Sequence, residues 1–276
     1  MNSNTSQNVV DENSGVLART LTMGYSLMCY LIGVVALIYL ILFIADLFVP
    51  VSVNRGSDLA PDVAGISAIL WNLVVVMVWG MQHTIMARPA FKRVWTRLVP
   101  APAERSTYLV FVVLATAFLV SYWTPMPTVI WDTSGTGLYP ILTGVFFLGW
   151  VIVLFSTFLI NHFHLFGLQQ AFLYMRRLQS KQETFRTPLL YKLVRHPMMS
   201  GVLIALWAVP VLTVGRLVFN LLMTAYIFIG LYFEERTLSA ELGEEYEWYQ
   251  RTTPAVIPAL SRKPASDNKA ATTPLG

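Results

Sequence analysis

The feature that most constrains this chain is the length of its uncharged apolar runs. Tyr25–Val49, Ile66–Met86, Tyr108–Trp123 and Leu138–Ile160 carry Asp46 and otherwise no charged side chain. Each is close to the roughly 20 residues needed to cross about 30 Å of hydrocarbon. The third is the shortest; it starts earlier, near Ser106, or crosses with little tilt. Only 12% of the 276 residues are charged and 55% are hydrophobic. A soluble domain carries about 25% charged residues, so a water-soluble globule is excluded. The wealth of aromatic and branched apolar side chains excludes disorder. What remains is an all-α, polytopic integral membrane protein.

A fifth apolar region, Met198–Phe233, is too long for one span, and Pro210, Thr213, Gly215 and Arg216 interrupt it. Pro removes a backbone donor and Gly loosens a helix, so the spacing predicts a turn between Val209 and Arg216. Its first arm, Met198–Val209, measures only about 18 Å at 1.5 Å per residue. The expected architecture is therefore four spans plus a C-terminal helical hairpin.

Charge placement gives the orientation. Of the 19 Lys and Arg residues, all but Arg55 and Arg216 fall in segments that can share one side. They are Arg19; Arg88, Lys92, Arg93, Arg97 and Arg105; Arg176, Arg177, Lys181, Arg186, Lys192 and Arg195; and Arg236, Arg251, Arg262, Lys263 and Lys269. The positive-inside rule places these 17, and both termini, in the cytoplasm. That assignment requires the fifth region to turn back on itself, which agrees with its internal breakers. The net charge of +4 and the lack of a base-reading element give no sign of nucleic-acid binding. The lone Cys29 allows neither an internal disulfide nor a CxxC pair. The first 20 residues carry Asp11 and Glu12 and lack the features of a signal peptide, so the first span is expected to stay as an anchor.

The polar chemistry collects on the basic side, where intramembrane and interfacial polar groups are functional candidates. All four histidines fall at that level: His83, His162, His164 and His196. Arg195-His196-Pro197 reads either as a helix start or as the rim of a site, and Glu234-Glu235 as a solvated helix exit or the opposite rim. The hairpin brings the two side by side. The segment Glu241–Tyr249 reads as an interfacial helix anchored by Tyr and Trp, or as a lid over a pocket. On a regular helix His162 and His164 would point about 200° apart, which gives no support for a shared metal ion, and no metal is expected.

Tyr191, Arg195-His196-Pro197, a hairpin, Glu234-Glu235-x-x-Leu238, Gly243-x-x-Tyr246-x-x-Tyr249 and Pro258 follow one another in an order that resembles the isoprenylcysteine carboxyl methyltransferase superfamily. Trp79–Thr84, Arg88–Lys92, Glu104–Tyr108 and Asn161–Leu168 extend the resemblance to that superfamily's bacterial methanethiol S-methyltransferase branch, which is similar to NnrU-type proteins. It covers roughly residues 24–260.

The resemblance implies S-adenosyl-L-methionine as cofactor and S-methylation of a small volatile thiol, methanethiol, to dimethyl sulfide at the cytoplasmic face of a bacterial inner membrane. It implies cofactor contacts at Thr184, Phe185, Arg186, Tyr191, His196, Pro197, Met198, Met199, Glu234 and Tyr246. Met199 stands where the family often has Tyr. Gly230 replaces the Arg that serves a prenylated substrate's carboxylate, which argues against a carboxyl methyltransferase. Because the thiolate is the nucleophile, a proton acceptor is expected: His164 first, then His162, then His83. Arg195 either stabilises the thiolate or pairs with Glu234 or Glu235. The expected organisation is a polar tail over 1–20, spans over 21–160, a catalytic region over 161–260 and a disordered tail over 261–276. Action on another thiol or a phospholipid amine, and a non-catalytic NnrU-like accessory role, are the competing readings.

Overall fold

The computed structural model describes residues 15–179 and 185–258. Thr184 and the tail at 261–276, for which the sequence raises expectations, lie outside them. The first helix, α1 (Val16–Ala45), is 30 residues long and begins inside the segment expected to be a polar tail. It is followed by α2 (Gly65–Ala87), α3 (Pro89–Trp95), α4 (Glu104–Tyr122), β1 (Val129–Asp132), α5 (Leu138–Ile160), α6 (His162–Leu165) and α7 (Leu168–Arg176). The hairpin is α8 (Pro197–Trp207), β2 (Val211–Thr213) and α9 (Val214–Leu242), and α10 (Glu244–Thr252) follows it. Five helices are long and apolar enough to cross a membrane: α1, α2, α4 with the turn before it, α5 and α9. The chain is a multi-pass membrane protein, and the apolar side chains exposed along α1, α2, α5 and α9 form its lipid-facing surface.

Local signals set the element ends. Pro89 and Pro197 occupy the first turns of α3 and α8, where a missing N–H costs nothing. Thr213 caps α9, its hydroxyl accepting from the Arg216 N–H at 3.1 Å. The 11-residue α8 is too short to span alone. It is held instead by α5, through contact at Gly149 and Gly201. A Cβ on Gly149 would lie 2.5 Å from the Gly201 carbonyl oxygen, so only paired glycines permit this approach.

The two ends of the bundle differ. At the end opposite the basic loops, Asn72 exchanges hydrogen bonds with Thr124 (2.8 and 2.9 Å), and the buried Trp123 indole donates to the Val53 carbonyl at 3.1 Å. Phe43, Trp123 and Phe219 pack edge to face beneath them. The sequence reading expected a plain turn between Val209 and Arg216. The structure instead makes β2 there and pairs it antiparallel with β1 from the loop before α5. The short run of β1 carries no period long enough to read, so this pairing was missed.

At the basic end, which the positive-inside rule makes cytoplasmic, α1 meets α4, α6 and α7. Tyr25 bonds Thr107 at 3.1 Å, Tyr30 bonds His162 at 2.9 Å, and Arg19 donates to the Met175 carbonyl at 3.4 Å. α9 does not stop at Phe233, as the hydropathy alone indicated, but runs on to Leu242. Glu234 and Glu235 are therefore mid-helix residues rather than a helix exit.

Candidate active site

The sequence Arg195-His196-Pro197 is pulled out of helical conformation by the chain that follows α10. The Arg195 N–H donates to the Pro254 carbonyl at 2.8 Å and the His196 N–H to the Ala255 carbonyl at 2.9 Å. Ser200 adds a bond to the Val256 carbonyl at 2.7 Å. The last described residues thus lie alongside the start of α8 and tie both arms of the hairpin together.

Arg195 fills the centre of this clamp. Its guanidinium donates to Glu235 through Nε (2.8 Å) and Nη2, and to the carbonyls of Gln250 and Thr253 through Nη1. Glu235 also accepts from His196 Nε2 at 2.9 Å and from Gln250 at 3.3 Å. The alternatives left open for Arg195 are resolved by geometry. It pairs with Glu235, and its donors are consumed by protein acceptors. The sequence reading left Glu234 and Glu235 as equal partners for Arg195, because two adjacent glutamates on one helix look alike until a partner selects one; the structure selects Glu235.

Glu234 is left facing outward from the clamp. Its side chain is 51% exposed, against 21% for Glu235, and its carboxylate lies 3.8 Å from His196 Nδ1. Arg88 stacks over the adjacent Phe233 ring at 5.0 Å, fixing the α2–α3 elbow beside this turn of α9.

α10 closes the other side. The expectation of Tyr anchors in the membrane interface fails for two of its aromatic residues. Tyr246 and Tyr249 turn inward and are buried, while Trp248 faces out. Phe185 packs edge to face on both tyrosines, at 6.1 and 5.5 Å. The Tyr249 hydroxyl donates to the Tyr191 carbonyl. Burial pushes the Tyr246 and Tyr249 hydroxyls up to about 12 and raises that of Tyr191, so all three stay protonated donors at neutral pH. The Tyr246 hydroxyl is buried and has no hydrogen-bond partner among the described residues. It lies within electrostatic range of Glu234, Glu235 and Arg195. A cleft of about 510 Å³ is lined by Phe185, Arg186, Pro188, Lys192, Glu245 and Tyr249, and the Phe185 and Tyr249 rings stand between it and Tyr246. Pro197, Met198 and Met199 form the first turn of α8 behind His196.

The three remaining histidines separate. His162 is buried in an aromatic cage, stacked on Phe158 at 4.3 Å with Tyr30, Phe163 and Phe166 around it. Thr157 Oγ1 donates to the Leu154 carbonyl, so His162 Nδ1 donates to Thr157 at 2.8 Å and Nε2 accepts from Tyr30. Both ring nitrogens are spent, and burial lowers the ring's proton affinity. His164, half-buried, sits in the same short helix with its N–H on Asn161 Oδ1. His83 is half-buried on α2 between Trp79 (4.1 Å) and Tyr108 (6.4 Å), with Tyr226 of α9 against the far side of Trp79 (5.4 Å). Its Nδ1 meets the Trp79 carbonyl at 2.9 Å. A carbonyl only accepts, so Nδ1 carries the proton and Nε2 keeps a lone pair.

Comparison with known proteins gives a consistent result. The chain is 42% identical over 261 residues to methanethiol S-methyltransferase 2 of Bradyrhizobium diazoefficiens, covering 95% of this chain and 99% of that one. It is 43% identical over 242 residues to the methanethiol S-methyltransferase of Mycobacterium tuberculosis, covering 88% and 98%. A more distant relative is Nurim of Rattus norvegicus, 28% identical over 170 residues, covering 59% of this chain and 64% of that one. No family model and no solved structure matches the chain.

Proposed function

The chain belongs to the methanethiol S-methyltransferase family, and from that premise we propose that the clamp and cleft bind S-adenosyl-L-methionine for the methylation of methanethiol to dimethyl sulfide. The observation that carries the assignment of the site is the Tyr246 hydroxyl. A buried donor without a partner costs about 1–3 kcal/mol. It is retained within electrostatic range of the half-exposed Glu234 carboxylate and behind two rings that line the cleft, a setting that offers one donor and one negative charge to a polar ligand.

S-adenosyl-L-methionine supplies a methyl group activated on a sulfonium. Glu234 balances positive charge in the cleft. Tyr246 donates to a ligand oxygen, and Tyr191, Phe185 and Tyr249 offer aromatic faces. His196, Pro197, Met198 and Met199 form the wall behind them. Arg195 and Glu235 hold that wall in place, as positioning residues. The thiol's proton must leave for the sulfur to act as nucleophile. Among the three candidate acceptors His83 is best suited, since its Nε2 lone pair is available in an apolar aromatic surround, while both nitrogens of His162 are engaged. Methanethiol, small and apolar, reaches this aromatic group through the bilayer; the polar ligand enters from the cytoplasm. Both meet at the basic end of the bundle.

The test is headspace detection of dimethyl sulfide from purified protein given methanethiol and S-adenosyl-L-methionine, with calorimetry of ligand binding. Glu234→Gln and Tyr246→Phe are expected to weaken binding at least tenfold. His83→Gln is expected to lower kcat by roughly 10² or more, with binding of S-adenosyl-L-methionine unchanged. Full activity in His83→Gln would return the proton to His164. Wild-type binding in Glu234→Gln and Tyr246→Phe would remove the cleft from the reading. Hydrogen sulfide and a phospholipid amine, assayed in parallel, test the thiol assignment.

A further inference from the structure

At the end of the molecule opposite the clamp, Arg216 stands in the first turn of α9 with only 3% of its surface exposed. Its Nε has no hydrogen-bond partner among the described residues, and its guanidinium lies 5.9 Å from the Phe146 ring centroid. An ionised group buried in an apolar body is strongly unfavourable without a counter-charge. Beside it lies a partly open cavity of about 80 Å³, lined by Arg216, Asp46, Asn54, Tyr139, Thr143 and Phe146.

The obvious internal counter-charge is engaged elsewhere. The Asp46 carboxylate accepts from Ser52, from Asn54 at 2.9 Å, and pairs with Arg55 at 2.9 Å. Asp132, on the strand paired with Val211, turns its carboxylate to the Ser134 N–H at 2.7 Å. Asp46 also lines the cavity and acts on Arg216 electrostatically without a hydrogen bond to it, so Asp46, Arg55 and Arg216 together leave one net positive charge around the cavity. The Asn54 amide is likewise spent, on Asp46 and Thr213, and the Thr143 hydroxyl donates to the Tyr139 carbonyl. Among the lining side chains, the donors without a hydrogen-bond partner among the described residues are on the guanidinium and the Tyr139 phenol.

We propose that Arg216 and Tyr139 form a phosphate-binding site at the extracytoplasmic end of the bundle, filled by the headgroup of an outer-leaflet phospholipid or by free phosphate. A guanidinium fork matches the oxygens of a phosphate. The cavity's volume equals roughly two to three waters, which suits one phosphate group and no larger part of a headgroup. Its depth fits as well. The end of α1, the first turn of α5 and the first turn of α9 meet at this interface, where lipid phosphates lie, and Tyr139 stands at the level that interfacial aromatics favour.

The test compares wild type, Arg216→Gln and Thr143→Glu, purified in a detergent without phosphate and stripped of lipid. Melting temperature is followed against inorganic phosphate, a short-chain phosphatidylglycerol, and chloride at matched ionic strength. Saturating stabilisation of the wild type by roughly 5 °C is expected from phosphate or from the lipid, with none from chloride. A response to the lipid alone assigns the headgroup as the source; a response to both assigns the phosphate itself. Arg216→Gln is expected to lose the response. Thr143→Glu places a carboxylate in the cavity, so it is expected to melt higher than wild type without ligand and to ignore phosphate; it serves if Arg216→Gln does not accumulate. Equal stabilisation by chloride, or an undiminished phosphate response in either variant, would overturn the proposal.

Discussion

Two adjacent glutamates carry different tasks because one turn of helix points them at different neighbours. Glu235 accepts from Arg195, His196 and Gln250, whereas Glu234 is half-exposed with its carboxylate 3.8 Å from His196 Nδ1. Glu235→Gln is expected to destabilise the fold by about 2–4 kcal/mol, since it leaves a largely buried Arg195 without its counter-charge. Glu234→Gln should leave the unfolding free energy within about 0.5 kcal/mol of wild type, with its cost in ligand binding alone. Chemical or thermal denaturation of both variants checks the contrast. His162 gives a pH prediction with a defined sign. Burial lowers its proton affinity below that of the unfolded chain, so the unfolded state binds more protons. Stability is then fully present above the unfolded value of about 6.5 and is lost as pH falls below it. His162→Gln should flatten the decline in melting temperature between about pH 7 and pH 5. A decline as steep as in the wild type would assign that pH dependence to other groups.

At the scale of elements, the short α8 depends on α5. Gly149 and Gly201 bring the two backbones to a distance that no side chain tolerates. Gly201→Val is expected to cost about 3 kcal/mol or more through forced separation of the helices. Gly230→Ala is the matched control. A Cβ there meets nothing within 4 Å, and mid-helix Gly→Ala should be neutral or stabilising by up to about 1 kcal/mol. Melting curves in one detergent distinguish them. The hairpin, the breaker at Pro210 and the short first arm were legible in the sequence, because Pro and Gly act locally. The continuation of α9 past Phe233 was not, since charged residues end a hydropathy run without ending a helix. The pairing of β1 with β2 was not legible either, as a three- or four-residue strand is defined by its partner.

At the scale of the molecule, the bundle has one end rich in Lys and Arg and one end stitched by Trp, Asn and a strand pair. The positive-inside rule predicts that a cysteine at Arg97 reacts only with a reagent that has entered the cell, and one at Ser134 with an impermeant reagent outside. Both positions are exposed. The background Cys29 is buried, and Cys29→Ser removes it. Labelling of both cysteines from the same side would break the orientation. The same asymmetry separates the proposed cofactor cleft at the basic end from a buried cation at the other.

By itself the sequence determined the membrane class, the hairpin and the one end of the bundle where the basic residues and histidines gather. These follow from run length, breakers and charge, each of which acts over a few residues. Tertiary structure alone decided which glutamate meets Arg195, which histidines are spent and which keeps a lone pair. It also turned Tyr246 inward and left Arg216 Nε without a hydrogen-bond partner among the described residues. Those outcomes depend on contacts between residues tens to more than a hundred positions apart, as between Tyr30 and His162. Whether a polar atom is satisfied is a property of the partner the fold supplies, and residue type does not record it.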